Sequence, residues 1–542
     1  MSESRRKTLT LVATILGSTI VFLDSTVVNV ALPAISDDLG AGLADQQWIV
    51  EAYLLALVSL LLVGGSLGDQ FGRRRIFMFG LIGFAITSLL CAVAPSTEIL
   101  IGARALQGFA GALLVPGSLA ILATHFEGAE RGKAVGTWTA WSGISTVLGP
   151  AGGGALVEAV SWRAIFWVNL PLIVVTLFLA RAVISETKDE DADRAIDWLG
   201  IGLSALGLGG PVFALIEQPR HGWSDPIVYA PLIAGIVLFS LFLLWESRFR
   251  HAMLDLSLFK VRNFAVTNLE TLIVYAGLIG STFFLALFLQ QTADYTPLQA
   301  GLATTPISIV MFLLSPRFGR ISTGIGPRLP MSVGPIVGGI GMLLLTGVGA
   351  HPDYVKDVLP GLFVFSLGLA ATVAPLTATA LDSVEERHMG VASGINNGVS
   401  RVAGLLAIAI LGALIAGSYK TTIDDELSGT ALSGQAQGAI ADAKERTLDV
   451  PDTRGLAPVE AEVVEAATTK ASERSFHLGI EVGGVLMVLG GIIAGVGLRN
   501  PRRPVPGEPG HLPPAAPAAG ECGRHPGGGE PRRQPVEEPA LT

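Results

Sequence analysis

The chain has 542 residues, half of them hydrophobic, with only 15% charged and a formal net charge of −9. A water-soluble chain of this length carries about 25% charged residues and divides into several domains, so the composition excludes a soluble globular protein. The negative charge says little more, because Asp and Glu hardly affect orientation in a membrane.

The start, basic at Arg5, Arg6 and Lys7 and then apolar from Leu9 to Ala31, has the outline of a signal peptide. The run is too long for one and further runs follow, so it reads as an uncleaved first helix. Apolar stretches of the roughly 20 residues needed to cross a hydrocarbon layer then recur. They predict spans over 9–31, 48–68, 76–94, 99–123, 133–157, 162–182, 196–217, 227–247, 264–290, 298–316, 329–349, 358–381, 390–417 and 476–498. Backbone groups in lipid must be satisfied within their own segment, so these spans are helices, and the alternating ten-residue segments of a membrane β-barrel are absent. The expected fold class is an all-α membrane protein with 14 transmembrane helices.

Lys and Arg should collect in cytoplasmic loops. They do so in alternate loops: Arg73, Arg74 and Arg75; Arg131 and Lys133; Arg181, Lys188 and Arg194; Arg248, Arg250, Lys260 and Arg262; Arg317, Arg320 and Arg328; then Arg387. Both termini are therefore expected in the cytoplasm of a multi-pass cell-membrane protein. Residues 418–475 read as a long, acidic, Ala-rich outer loop, in which weak helical periodicity over 459–475 extends the last helix outward. The tail over 499–542 is rich in Pro and Gly and is expected to be disordered. Cys91 and Cys522 are too far apart in this topology to suggest a disulfide.

A repeat divides the spans. Gly65, Asp69, Gly72, Arg73 and Arg74 follow the second span, and Gly319, Thr323, Gly326 and Arg328 follow the tenth with the same glycine spacing. The expected organisation is a cytoplasmic N-terminus over 1–8, a six-helix bundle over 9–182, two inserted helices over 196–247 and a second six-helix bundle over 264–498. Paired halves are how many secondary transporters are built.

In the first loop, Gly65 and Gly72 permit close backbone approach. Asp69 beside Arg73 and Arg74 makes a charged latch that favours one state of an alternating cycle, or else a basic topological anchor with an incidental acid. Asp24 lies about fifteen residues into the first span. An ionised acid is costly at that depth, so the position suits reversible protonation, or a hydrogen-bonded packing role. Arg104, with Gln107 and Gly108 at i+3 and i+4, forms a polar helix face. Its guanidinium cannot readily lose a proton, so it is either an electrostatic partner of a coupling acid or a static ion pair. Glu270 is a third candidate for coupling or substrate contact, unless it pairs with Arg262. Glu51, Glu481 and Arg401 (with Asn396 and Asn397) are weaker candidates, Arg401 reading equally as glue between helices. Gly136, Gly149, Pro150, Gly153 and Gly154 in the fifth span remove side chains and bend the helix where two helices meet.

The first loop resembles the signature of the major facilitator superfamily, with Gln70 where a basic residue is usual. Leu23 to Pro33 resembles the first-span pattern of the fourteen-spanner drug:proton antiporters. Arg104 to Gly108 is similar to the superfamily's buried-arginine motif, and Gly149 to Gly154 to its antiport motif; Trp162 to Pro171 and Pro375 to Thr377 add subfamily character. The resemblance implies a major facilitator fold of two six-helix bundles plus two inserted helices. It also implies a proton-coupled antiporter that exports amphipathic, often cationic, drugs or toxic compounds. A cavity with acids and aromatics such as Phe22, Tyr53, Trp141 and Tyr275 would suit them. A dedicated exporter of one antibiotic or metabolite is the alternative within the fold. A passive channel or receptor is the alternative outside it, and an uptake symporter is disfavoured by the fifth-span motif.

No phosphate-binding loop, zinc-protease pair or serine-hydrolase elbow occurs, so neither ATP nor an enzymatic reaction is suggested. The eight histidines are scattered without a metal-ligand spacing. No cofactor is called for. The partners expected are a small organic substrate, protons and the lipid bilayer, without nucleic acid, and the sequence identifies no partner protein.

Overall fold

Apolar runs long enough to satisfy their own backbone should give long helices, and they do. The computed structural model describes residues 2–500 except 127, 189–196, 250–253, 255, 386–388, 449–450 and 452. The expected tail beyond residue 500, Cys522, and the loop arginines Arg194, Arg250 and Arg387 lie outside the described residues. Within them the long elements are all helical. They are α1 (Glu3–Leu39), α2 (Leu43–Phe71), α3 (Arg73–Ala92), α4 (Thr97–His125), α5 (Gly128–Ala159), α6 (Ala164–Trp167), α7 (Asn169–Val183), α8 (Trp198–His221) and α9 (Pro226–Glu246). There follow α10 (Arg262–Gln291), α11 (Pro297–Ala303), α12 (Thr305–Ile325), α13 (Arg328–Leu344), α14 (Leu359–Asp382), α15 (Met389–Glu426), α16 (Gly434–Glu445) and α17 (Pro458–Gly497).

Among the described residues, 12 segments are long and apolar enough to cross a membrane, or 13 if α2, bent by 48° between Leu61 and Gly64, is one span. That falls short of the 14 expected. The difference is α5, a 32-residue helix whose many Gly, Ser and Thr residues dilute its apolar content.

The first seven helices pack mainly among themselves: α2 on α4, α3 on α4 and α7, α1 on α5 and α7. Tyr53, Phe77, Phe84, Leu114 and Ile173, all fully buried, form their shared core. From α10 onward, α13 packs on α14 and α17, and α10 on α15 and α17. There the Phe288 and Phe476 rings stack at 4.0 Å. The pair α8 and α9 packs chiefly on itself, with α8 also against α2 and α15.

The glycine-spaced loops are repeated corners in three dimensions. Gly72 ends α2 at φ +106° and Gly326 ends α12 at φ +90°. After each corner a side chain from the end of a later helix accepts a backbone N–H: Glu186 from Arg74 at 3.1 Å, Asn500 from Arg328 at 3.1 Å. The same arginines brace that later helix, Arg74 donating to the Ile184 carbonyl at 3.2 Å and Arg328 to the Gly495 carbonyl at 2.6 Å. A side chain at Gly72 would meet both the left-handed backbone penalty and the Glu186 carboxylate at 2.6 Å. Gly65 differs from the expectation of close approach, since the nearest atom to an added Cβ is Pro116 Cβ at 3.8 Å. Gly72→Ala should therefore cost about 1–3 kcal/mol and Gly65→Ala much less, measured by thermal unfolding in detergent. Equal losses would remove the corner argument.

The connection read as an outer loop over 418–475 is largely helical. α15 continues to Glu426, α16 fills 434–445, and α17 starts at Pro458, so the helix expected over 459–475 is present. Ala is a strong helix former, and Tyr419, Ile423, Ala436, Ile440, Val464 and Ala471 give these pieces a small core.

Candidate functional site

Asp24 on α1 and Arg104 on α4 meet within the helical core. The Arg104 guanidinium donates to Asp24 Oδ2 at 2.5 Å and to Gln107 Oε1 at 2.6 Å, and its Nε donates to the Ile49 carbonyl of α2 at 3.1 Å. Gln107 and Asn169 each donate to Asp24 Oδ1, at 3.1 and 3.0 Å. Both also donate to Ser88 Oγ on α3, at 2.9 and 3.3 Å. The guanidinium lies over the Tyr53 ring at 4.2 Å, within cation–π range. Asp24 is 0% exposed and Arg104 1%, so the pair is sealed from solvent.

The sequence positions these groups simply. Arg104 and Gln107, one turn apart on α4, project on one face. At the next position toward α2, a Cβ on Gly108 would overlap the Tyr53 carbonyl, so glycine lets the two helices close around the pair. Asn169 opens α7 and turns its amide inward. Neither Asn169 nor Ser88 stood out as a site residue. The only signal was an amide inside the apolar run Phe166 to Pro171.

Glu270 does not join this cluster. It is 0% exposed on α10, and neither carboxylate oxygen has a hydrogen-bond partner among the described residues. Arg262 does not reach it, donating instead to the Gly497 and Val496 carbonyls at 2.8 and 3.3 Å. Beside Glu270 in sequence, Asn268 and Thr271 accept from Asn396 of α15 at 3.3 and 2.8 Å. Glu51 is likewise fully buried with both oxygens unpartnered, whereas Glu481 is exposed.

Asp69, near the end of α2, pairs with Arg73, the first residue of α3, at 2.6 Å across the Gly72 corner, so the bond is local to that corner. On α5 the glycines divide by partner. Added Cβ atoms at Gly149 and Gly153 would strike Thr26 and Val27 of α1. One at Gly154 would strike the Pro297 carbonyl of α11, and one at Gly301 the Pro150 carbonyl, so α5 and α11 interlock reciprocally. Gly136 has no atom within 4 Å of an added Cβ and takes no part. Among the described residues no group of three or more His, Cys, Asp or Glu is placed to hold a metal.

A bundle of long apolar helices around a sealed ion pair is the architecture of a multi-pass membrane protein. The Major Facilitator Superfamily profile matches residues 14–408, and the chain belongs to that family of membrane transporters. It is 34% identical over 425 residues to the multidrug resistance protein Stp of Mycobacterium tuberculosis, covering 78% of this chain and 79% of that one. It is 32% identical over 424 residues to the tetracenomycin C resistance and export protein of Streptomyces glaucescens, with 77% of each covered. The multidrug efflux pump LfrA of Mycolicibacterium smegmatis is 30% identical over 489 residues, 89% of this chain and 94% of its own. Among solved structures, a bacterial homolog of the human lysosomal transporter Spinster, inward-facing and unoccupied, superposes with a TM-score of 0.62. It covers 90% of this chain and 97% of its own at 14% identity, a likeness of fold.

Proposed function

We propose that the protein is a proton-coupled antiporter that exports amphipathic organic compounds by alternating access across the cell membrane. The observation that carries this reading is the sealed Asp24–Arg104 pair, a titratable acid at membrane depth held by a permanent cation. Similarity to proteins named for drug and antibiotic efflux supports the direction of transport.

A proton arriving at Asp24 neutralises the carboxylate and frees the guanidinium, which cannot itself give up a proton. Gln107 and Asn169, whose amides can both donate and accept, re-pair around the neutral acid, and α1 shifts against α4. Return of the proton to the cytoplasm restores the ion pair. One charge crossing the membrane field is worth about 2.3 kcal/mol per 100 mV, enough to drive uphill export.

In this reading α5 is the fourteenth span, and the helices divide into six, the inserted pair α8 and α9, and six, with both termini in the cytoplasm. The α5–α11 interlock seals the outer end, and the Asp69 loop is a latch on the inner face. Glu270 is a second proton or substrate group. Asp69→Asn is expected to slow turnover severalfold while substrate affinity holds. An equal loss of affinity would contradict the latch.

A dedicated exporter of one compound is the second reading, favoured because similar proteins carry both multidrug and single-antibiotic names. Growth of expressing cells on a panel of toxic compounds separates the two: broad protection supports the multidrug reading, protection against one compound the dedicated one. For either, flux into inverted vesicles should stop when the pH gradient is collapsed, and flux that continues unchanged would sink antiport.

A further inference from the structure

Arg401 is a membrane charge that the proposed cycle leaves unused. It lies on α15 twelve residues beyond Met389, about 18 Å along the axis at 1.5 Å per residue. That is mid-depth in a hydrocarbon layer about 30 Å thick. Its guanidinium sits 5.8 Å over the Phe22 ring of α1, and Phe22 meets Trp138 of α5 edge-on at 6.4 Å. The helices packed closely on α15 include α2, α8, α10, α14 and α17, so the long side chain reaches the α1–α5 surface from a helix anchored elsewhere. Arg401 is half-buried, and Asn397, one turn earlier on the same face, is exposed. Both side chains therefore keep some exposed surface.

This cation is uncompensated. A guanidinium stays charged, and a charge at this depth is costly unless something pairs with it. Asp24 is already held by Arg104, Gln107 and Asn169. Glu51 and Glu270 are 0% exposed and form no hydrogen bond to Arg401. Among the described residues no carboxylate lies at ion-pair distance from Arg401. The buried acids Asp24, Glu51 and Glu270 are all closed to solvent. The charge that keeps some exposed surface is positive and sits beside the Phe22 ring.

We propose that Arg401 is the cargo's counter-ion site, and that the substrates are flat aromatic compounds bearing an acidic group. The anion rests on the Arg401 guanidinium beside the Asn397 amide, and the ring system lies against Phe22. Binding would complete a charge pair that the protein alone leaves open. For export the inference rests on the transporter reading above; for binding it stands independently.

The test is equilibrium binding to the purified protein in lipid nanodiscs, with no gradient imposed. The probes are anthraquinone-2-carboxylate, its neutral carboxamide and the cationic 2-(aminomethyl)anthraquinone. In the unaltered protein the carboxylate should bind about tenfold or more tightly than the carboxamide, a difference of about 1.4 kcal/mol, and the cation weakest. Arg401→Gln should erase the preference while keeping carboxamide affinity, Arg401→Lys should keep part of it, and Arg401→Glu should favour the cation. A carboxylate preference that survives in Arg401→Gln overturns the proposal, as does no preference or a cation preference in the unaltered protein. Should Arg401→Gln fail to fold, the unaltered protein and Arg401→Lys still decide. Because no gradient is involved, failure of proton-driven flux leaves this result standing, and a failed preference leaves proton coupling untouched.

Discussion

Asp24→Asn is expected to abolish gradient-driven export and to destabilise the folded protein by about 3–5 kcal/mol, the usual cost of leaving one member of a buried ion pair uncompensated. The size of both effects follows from burial. Arg104 is 1% exposed and keeps its charge whatever happens to Asp24. The neutral amide offers Arg104 an oxygen but no balancing charge, so the variant protein carries an unpaired cation in its core. Stability and transport can be separated with the double variant Asp24→Asn/Arg104→Gln, which removes both charges and keeps amide hydrogen bonds. It should recover most of the lost thermal stability and none of the transport. If instead Asp24→Asn exports at the unaltered rate with the gradient in place, Asp24 is a packing residue and not the coupling acid.

Gly154→Val is expected to produce the second large effect. A side chain there must displace the Pro297 carbonyl, a backbone atom of α11 that cannot swing aside. Overpacking of this kind costs about 1–3 kcal/mol, and it falls on whichever state of the cycle contains the α5–α11 contact. If that is the outward-closed state, its population relative to the open state falls roughly 5- to 150-fold. Export should drop accordingly, and a reporter cysteine near the α5–α11 junction should become more reactive to a membrane-impermeant reagent. Gly301→Val, which strikes the Pro150 carbonyl from the other side, should do the same, and the two together should be less than additive because they break one contact. Gly136→Ala is the control and should be silent. Equal labelling of the Gly154→Val and unaltered proteins would show that the contact does not gate access.

The helices, and all three acids now found sealed, were legible in the sequence because a charge inside an apolar run is conspicuous. Asp24 and Arg104 stood out separately in this way. Their pairing did not, since it joins residues eighty positions apart through the packing of α1 on α4. Ser88 and Asn169 complete the network but carry no charge, and small polar residues are ordinary in membrane helices. Gly65 and Gly72 look alike in a motif, yet only Gly72 takes a left-handed backbone angle and abuts a carboxylate. The helix α16 was hidden because its polar and charged residues, read beside acidic neighbours, resemble a solvated loop. The shortfall in spans has the opposite origin. The glycines that let α5 pack against α1 and α11 are what lower its apolarity. Arg401 was visible as a charge, but whether it was glue or a site depended on which carboxylates reached it.

The most direct test of coupling is proton movement in sealed vesicles containing the purified protein and a trapped pH-sensitive dye, with no gradient imposed at the start. Adding a transported compound to one side should drive protons out of the opposite compartment toward it, in proportion to the compound moved, and the signal should vanish in Asp24→Asn. Compound crossing the membrane with no accompanying proton movement would contradict proton-coupled antiport.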